Sequence, residues 1–212
     1  VTTAEDHYPD YILQRINHTV FTDVDLLQRN IELVTNHIRT KLQARQEQDI
    51  DRKCLRFIST TNGQTYYHDA QNGFWRMSLF IPNAITKEEV NHDSAFCCGQ
   101  TFGNFEQMLV DLQEPFGETI PNFHNMELRL MQLREAVEAD KVARVSTVSD
   151  MLNALSQDAN DMCLAEQLYR QGALPKRICH CDTKVNNMMF DENDKVLCVI
   201  DLDTVMPSFV FS

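Results

Sequence analysis

A chain of 212 residues with 43% hydrophobic side chains carries enough apolar surface for one globular domain or two small lobes sharing a cleft, so disorder is not its default. Its 19 Lys and Arg against 31 Asp and Glu leave a formal charge of −12, which repels nucleic acid and anionic membrane. Seven cysteines, an odd number with Cys97-Cys98 inside a helical pattern, argue against a secreted disulfide framework, and no apolar run approaches the ~20 residues of a membrane helix, so a reduced, cytoplasmic protein is expected.

The first periodic segment, Tyr11 to Ile16, reads as a short strand. Asp23 or Asp25 then caps a helix whose apolar stripe is Leu27, Ile31, Val34, Ile38 and Leu42. Strands are expected at 54–60, 64–68 and 74–81. The first two should form a hairpin across Asn62-Gly63 and the last two a hairpin across Asn72-Gly73, since Asn-Gly suits the positive φ values of tight turns. After Pro82 the pattern becomes helical, with Cys98, Phe102, Phe105, Leu109 and Leu112 on one face. A loop around 115–125 precedes helices carrying Met126, Leu130, Leu133 and Val137, then Val148, Met151, Leu155, Leu164 and Leu168. Gly172 and Pro175 end this run, and short strands follow at 177–179, 188–190 and 196–200, the last two joined by the polar turn 191–195.

The chemistry is concentrated in Ile178-Cys179-His180-Cys181-Asp182-Thr183-Lys184-Val185-Asn186-Asn187, followed by a hairpin and Val199-Ile200-Asp201-Leu202-Asp203. Phosphoryl transfer requires a carboxylate that orients or deprotonates the attacking hydroxyl and hard oxygen ligands for Mg²⁺ at the β- and γ-phosphates. A His-x-Asp segment with Asn five residues after the Asp, and a second Asp beyond the next hairpin, supplies both. Zinc on Cys179, His180 and Cys181 is disfavoured because adjacent residues at a strand end rarely converge on one tetrahedral ion.

In order and spacing, His180, Asp182, Asn187 and Asp201 resemble the protein-kinase-like superfamily. Ile200-Asp201 in place of Asp-Phe-Gly is similar to its aminoglycoside phosphotransferase and choline kinase branch, whose members phosphorylate small molecules. Three segments, 11–17, 118–125 and 180–187, look most like the N-acetylhexosamine 1-kinases. The resemblance runs from about Tyr11 to Met206.

It implies an α+β, bilobal, protein-kinase-like fold: a partial nucleotide lobe over 1–82 with a small antiparallel sheet, and a mainly helical catalytic lobe over 83–212. It implies ATP and Mg²⁺ as cofactors, Asp182 as catalytic base, Lys184 on the γ-phosphate, Asn187 and Asp201 as metal ligands, and His180 as a brace of the loop. Adenine would meet backbone groups near Leu79, Phe80 and Ile81. His124 could bind the sugar or simply lie at the surface. Asp203 reads as a loop-stabilising acid before a second metal ligand. The expected product is a hexosamine phosphorylated on its anomeric hydroxyl, the alternatives being a kinase of another small alcohol or an inactive pseudokinase.

Two features stand apart from the family pattern. No glycine-rich loop precedes Tyr11 and no helices follow the metal Asp, so truncation at both ends is expected. Aligned with the kinase strand that bears the phosphate-pairing lysine, this chain has Gln14, with Arg15 on the opposite face. Gln14 bonds the phosphates itself, another cation replaces the lysine, or catalysis is impaired; Glu32 is the nearest acid on the following helix.

Overall fold

The computed structural model describes residues 1–2 and 8–211. Its elements run β1 (Tyr11–Ile16), α1 (Val24–Ala44), α2 (Ile50–Lys53), β2 (Phe57–Ile58), β3 (Tyr67–His68), β4 (Phe74–Leu79), α3 (His92–Leu109), α4 (Met126–Ala139), α5 (Ser149–Met162), α6 (Leu164–Arg170), β5 (Arg177–Cys179), β6 (Met188–Phe190), β7 (Val196–Val199) and β8 (Met206–Ser208). Single 3₁₀ turns lie at Val145–Val148, Val185–Asn187 and Leu202–Thr204. The chain divides into two compact units, residues 1–120 with 178–207, and residues 121–177 with 208–212.

In the first unit β4 is the centre of the larger sheet. It pairs antiparallel with β1 along its whole length, Tyr11 opposite Leu79 and Ile16 opposite Phe74. On its other edge it pairs with both β2 and β3. The expected hairpin across Asn62-Gly63 is therefore corrected. Phe57 and Ile58 lie opposite Ser78 and Met77, and Tyr67 and His68 lie opposite Trp75 and Phe74, so β2 and β3 follow one another along one edge. The Asn62-Gly63 turn does form, with Gly63 at φ +80 and the Thr60 amide donating to the Gln64 carbonyl, but it closes an excursion between two pieces of one edge. The turn at Asn72-Gly73 is the hairpin the sequence indicated. Asn72 has φ 61, and the Asp69 carboxylate accepts from the amides of Gln71 and Gly73 and from the Trp75 indole.

Helix α1 is capped by Asp23, whose side chain accepts from the Leu26 amide. Its stripe is buried as the spacing requires, Leu27, Ile31, Val34, Ile38 and Leu42 being 0–8% exposed. These residues share a core with Ile16, Phe105, Leu109, Leu202 and Val205. Leu202 and Val205 follow Asp201, so the helix beside the sheet and the loop carrying that carboxylate are fixed by the same apolar contacts. Asn30, fully buried on α1, adds donors to the carbonyls of Gly117 and Val205. A second cluster, Phe102, Val185, Met188 and Phe190, seats the loop before β6 and the β6–β7 hairpin against α3.

The unpredicted turn α2 arises because Arg39 of α1 holds it, Nη2 to Asp51 at 2.6 Å and Nη1 to the Cys54 carbonyl at 3.3 Å. This shortens the strand expected from 54 onward to Phe57 and Ile58. In the second unit α4, α5 and α6 follow the expected helical pattern. Arg170 of α6 binds both carboxylate oxygens of Glu127 on α4, and Gly172 at φ +74 ends α6. Among the described residues no helix is long and apolar enough to cross a membrane.

Candidate active site

Strand β5 delivers the chain to His180, which is completely buried. Its ring lies edge-on to Phe102 and Phe105 of α3, with centroids 5.0 and 5.8 Å away. Burial lowers its pKa against the opposing effects of its bond to the Ile200 carbonyl and of the nearby Asp182 and Asp201. The neutral ring then donates from Nε2 to that carbonyl, 2.9 Å away. The Thr204 hydroxyl donates to the His180 carbonyl at 2.7 Å, and the Ile200 amide donates to the Asn187 carbonyl at 2.9 Å. Three hydrogen bonds thus join the 180–187 loop to 200–204, two of them made by His180.

Cys181 then adopts φ +62, a left-handed conformation that β-carbon-bearing residues take rarely. Its thiol stays buried, donating weakly toward the Cys179 and Met206 carbonyls, while the backbone swings Asp182 outward to a half-buried position. The Asn187 side-chain amide donates to both the Asp182 carbonyl, at 2.9 Å, and its Oδ2, at 3.0 Å. Lys184 Nζ reaches the same Oδ2 at 2.8 Å, and that bond raises the lysine pKa. Oδ1 of Asp182 takes no hydrogen bond among the described residues.

Asp201 is also left-handed, at φ 58 and ψ 58, immediately before the 3₁₀ turn. It lies at an open position yet against enough protein to lose part of its hydration. That loss, with the charges of Asp203 and Asp182, raises its pKa against the opposing pull of His180 and Lys184. A carboxylate crowded by like charges, with an Asn whose NH₂ is committed to Asp182 and whose Oδ1 takes no hydrogen bond among the described residues, is a donor set that suits a hard divalent cation. Among the described residues no group of three or more His, Cys, Asp or Glu side chains is arranged to hold a metal; a cation shared with phosphate oxygens needs none.

The sheet supplies the rest. Gln14 lies directly opposite Arg76 in the β1–β4 register, and its Oε1 accepts from Arg76 Nε at 3.2 Å. Arg76 is 6% exposed, and its Nη1 lies 2.5 Å from Asp203 Oδ1. Asp203 is further held by Thr119, whose hydroxyl donates to its carbonyl at 2.8 Å. Glu32 is exposed on α1. Neither Arg76 nor Thr119 was singled out in the sequence, though a lone arginine in an aromatic-rich strand was a signal, because a buried charge requires a partner. Leu79 and Phe80 close β4, their amides donating to the carbonyls of Arg56 and Asp10, and Ile81 beyond them is 2% exposed. His124 belongs to the second unit, where its ring stacks on Phe123 at 4.5 Å.

This architecture is found in solved phosphotransferases. An aminoglycoside phosphotransferase from Alicyclobacillus acidocaldarius superposes with a TM-score of 0.54 at 15% identity, covering 94% of this chain and 58% of that one. A spectinomycin phosphotransferase in complex with AMP gives 0.54 at 12%, covering 95% and 61%. An aminoglycoside phosphotransferase from Streptomyces rimosus in complex with ADP and streptomycin gives 0.52 at 12%, covering 93% and 66%. The chain therefore spans about three fifths of the length of these structures, and at such identities the likeness establishes the protein-kinase-like fold. The model of the phosphotransferase enzyme family, APH, matches residues 39–211, a stretch that takes in Asp182, Asn187 and Asp201 together, and the chain belongs to that family.

Proposed function

We propose that the chain carries the catalytic centre of an ATP-dependent small-molecule kinase whose acceptor is the anomeric hydroxyl of an N-acetylhexosamine. The observation that carries the kinase reading is the state of Asp182, with Oδ2 fixed by Lys184 and Asn187 and Oδ1 left to meet a hydroxyl. The acceptor reading rests on the resemblance of segments 11–17, 118–125 and 180–187, and kinases of other small alcohols fit the same centre.

In this reading Asp182 Oδ1 accepts the acceptor's O–H and takes its proton as the new P–O bond forms. The bond from the γ-phosphorus to the β,γ-bridging oxygen breaks, ADP leaves, and the proton passes to solvent. Lys184, half-exposed at the mouth of the loop, exchanges Asp182 for the transferring phosphoryl oxygens. Asn187 and Asp201 would hold Mg²⁺, which when bound would supply positive charge to the nucleotide's phosphates. Residues 1–82 serve as the nucleotide lobe and 83–212 as the catalytic lobe. Because the amides of Leu79 and Phe80 are spent within the sheet, the adenine edge is read by the amide of Ile81. Seven cysteines, none in a disulfide among the described residues, suit the reducing cytoplasm.

The test is nucleotide consumption by the full-length protein with Mg²⁺, ATP and a panel of N-acetylhexosamines, free hexoses, choline and aminoglycosides. The expected result is turnover on N-acetylhexosamines that is lost in Asp182→Asn while nucleotide binding survives. Turnover on a different alcohol would replace the acceptor; undiminished turnover in Asp182→Asn would overturn the site.

A further inference from the structure

We propose that Arg76 is the phosphate-binding cation of the nucleotide site, supplied by β4 in place of the lysine that β1 lacks. The inference rests on the ATP-dependent reading above.

Directly opposed residues of an antiparallel pair project to the same face of the sheet, and Gln14 and Arg76 are such a pair. A cation on Arg76 is therefore presented one strand over from the position where a lysine on Gln14 would present it. Its guanidinium is fixed on three sides. Nε is committed to Gln14 Oε1 at 3.2 Å, Nη1 to Asp203 Oδ1 at 2.5 Å, and one face covers the Phe57 ring with Cζ 5.5 Å from its centroid. Nη2 makes no hydrogen bond among the described residues, so one fork of a locked guanidinium remains available to an acceptor. Pinning a donor before the ligand arrives reduces the ordering entropy of binding.

The placement of Asp203 ties this donor to the chemistry. Asp203 is two residues past Asp201, the proposed metal ligand, and Thr119 and Arg76 hold it from both ends. Arg76 is thus fixed to the segment that would carry the cation bridging the phosphates. The charge balance points the same way. Asp182, Asp201 and Asp203 all lie on the two hydrogen-bonded segments 180–187 and 200–204, and a nucleotide adds further negative charge. Lys184 offsets part of this from the loop side, and Arg76 offsets it from the sheet side. Gln14 is then a positioning residue: it spends its oxygen on Arg76 Nε and so fixes the direction of the guanidinium.

The experiment measures binding of MgADP and of adenosine to the full-length protein by titration calorimetry, taking their affinity ratio as the contribution of the phosphates. Removing Arg76 alone leaves the partly buried Asp203 carboxylate unpaired, which threatens the fold, so the key variant is Arg76→Gln combined with Asp203→Asn, with Asp203→Asn alone as control and melting curves to confirm folding. The ratio is expected to fall at least tenfold in the double variant, to persist in Asp203→Asn alone, and to return when Gln14→Lys is added to the double variant. A folded double variant with the wild-type ratio overturns the proposal and leaves the kinase reading standing. Loss of the ratio in Asp203→Asn alone also overturns it, by assigning the effect to Asp203. Wild-type protein that prefers adenosine or binds neither ligand overturns both.

Discussion

The side-chain amide of Asn187 donates to the carbonyl and to the carboxylate of Asp182 at once, at 2.9 and 3.0 Å. One residue thereby sets the backbone of the loop, the direction of the proposed base and, by committing its NH₂, which of its own atoms is left for the proposed metal. Asn187→Ala removes all three. Its expected effect is a fall in turnover of about a hundredfold or more, together with destabilisation of roughly 1–3 kcal/mol from the Asp182 carbonyl left without its donor, Oδ2 keeping Lys184. Single-turnover kinetics and thermal melting read the two effects separately; wild-type turnover in Asn187→Ala would contradict the proposed role.

Thr204 and His180 provide a milder test of the brace. Thr204→Val deletes the hydroxyl that donates to the His180 carbonyl while keeping the shape of the side chain. The expected cost is about 1 kcal/mol, a fall in Tm of roughly 2–4 °C for a chain of this size. Nucleotide affinity should stay within about threefold, since Thr204 has no direct part in binding. A collapse of affinity at unchanged Tm would mean that Thr204 touches the ligand.

Shared packing between α1 and the Asp201 loop predicts that core damage reaches the site. Ile31→Ala on α1 should cost about 2–5 kcal/mol, and because Leu202 and Val205 occupy the same cluster, it should also weaken Mg²⁺-dependent nucleotide binding at temperatures where the protein remains folded. Met131→Ala, a half-exposed position of α4, is the control and should change neither by much. Equal effects of the two substitutions on binding would refute the coupling.

Thiol chemistry gives a pH-dependent prediction. Burial pushes the pKa of both Cys54 and Cys198 up to about 12. The thiolate is the reactive form, so at pH 8 its share is roughly one part in ten thousand, and raising the pH toward the pKa increases it. Neither cysteine should be alkylated by iodoacetamide at pH 8 in the native protein, while both should react after denaturation. Mass mapping of the modified peptides decides; rapid native labelling of Cys198 would mean that the β6–β7 hairpin opens.

The sequence displayed what is governed by local periodicity and spacing. The α1 stripe, the Asn72-Gly73 hairpin, the β6–β7 hairpin and the ordered run His180, Asp182, Asn187 and Asp201 each express a short-range rule, and the structure links His180, Asp182 and Asn187 by hydrogen bonds to one another and to Ile200, the residue before Asp201. Which strand lies beside which does not follow from such rules. Asn62-Gly63 is a turn, but the partner of the strands on either side of it is β4, a choice made by packing across the sheet. Arg76 was hidden for the same reason: its meaning depends on facing Gln14 across the β1–β4 pair and on meeting Asp203, 127 residues later. His124 shows a further limit, since its identity as a histidine says nothing of its stacking on Phe123.

The divided edge of the larger sheet has a consequence for how the chain can change. From Ile58, opposite Met77, to Tyr67, opposite Trp75, the edge spends nine residues while β4 spends two. Each piece of the edge has its own anchor on β4, and Tyr66 is separately tied to Asp25 of α1, so residues added at the exposed Asn62-Gly63 turn leave both registers, and the Gln14–Arg76 alignment on the far side of β4, untouched. This makes the turn a site where an epitope, a fluorophore or an evolutionary insertion can be accommodated without cost to the proposed catalytic centre.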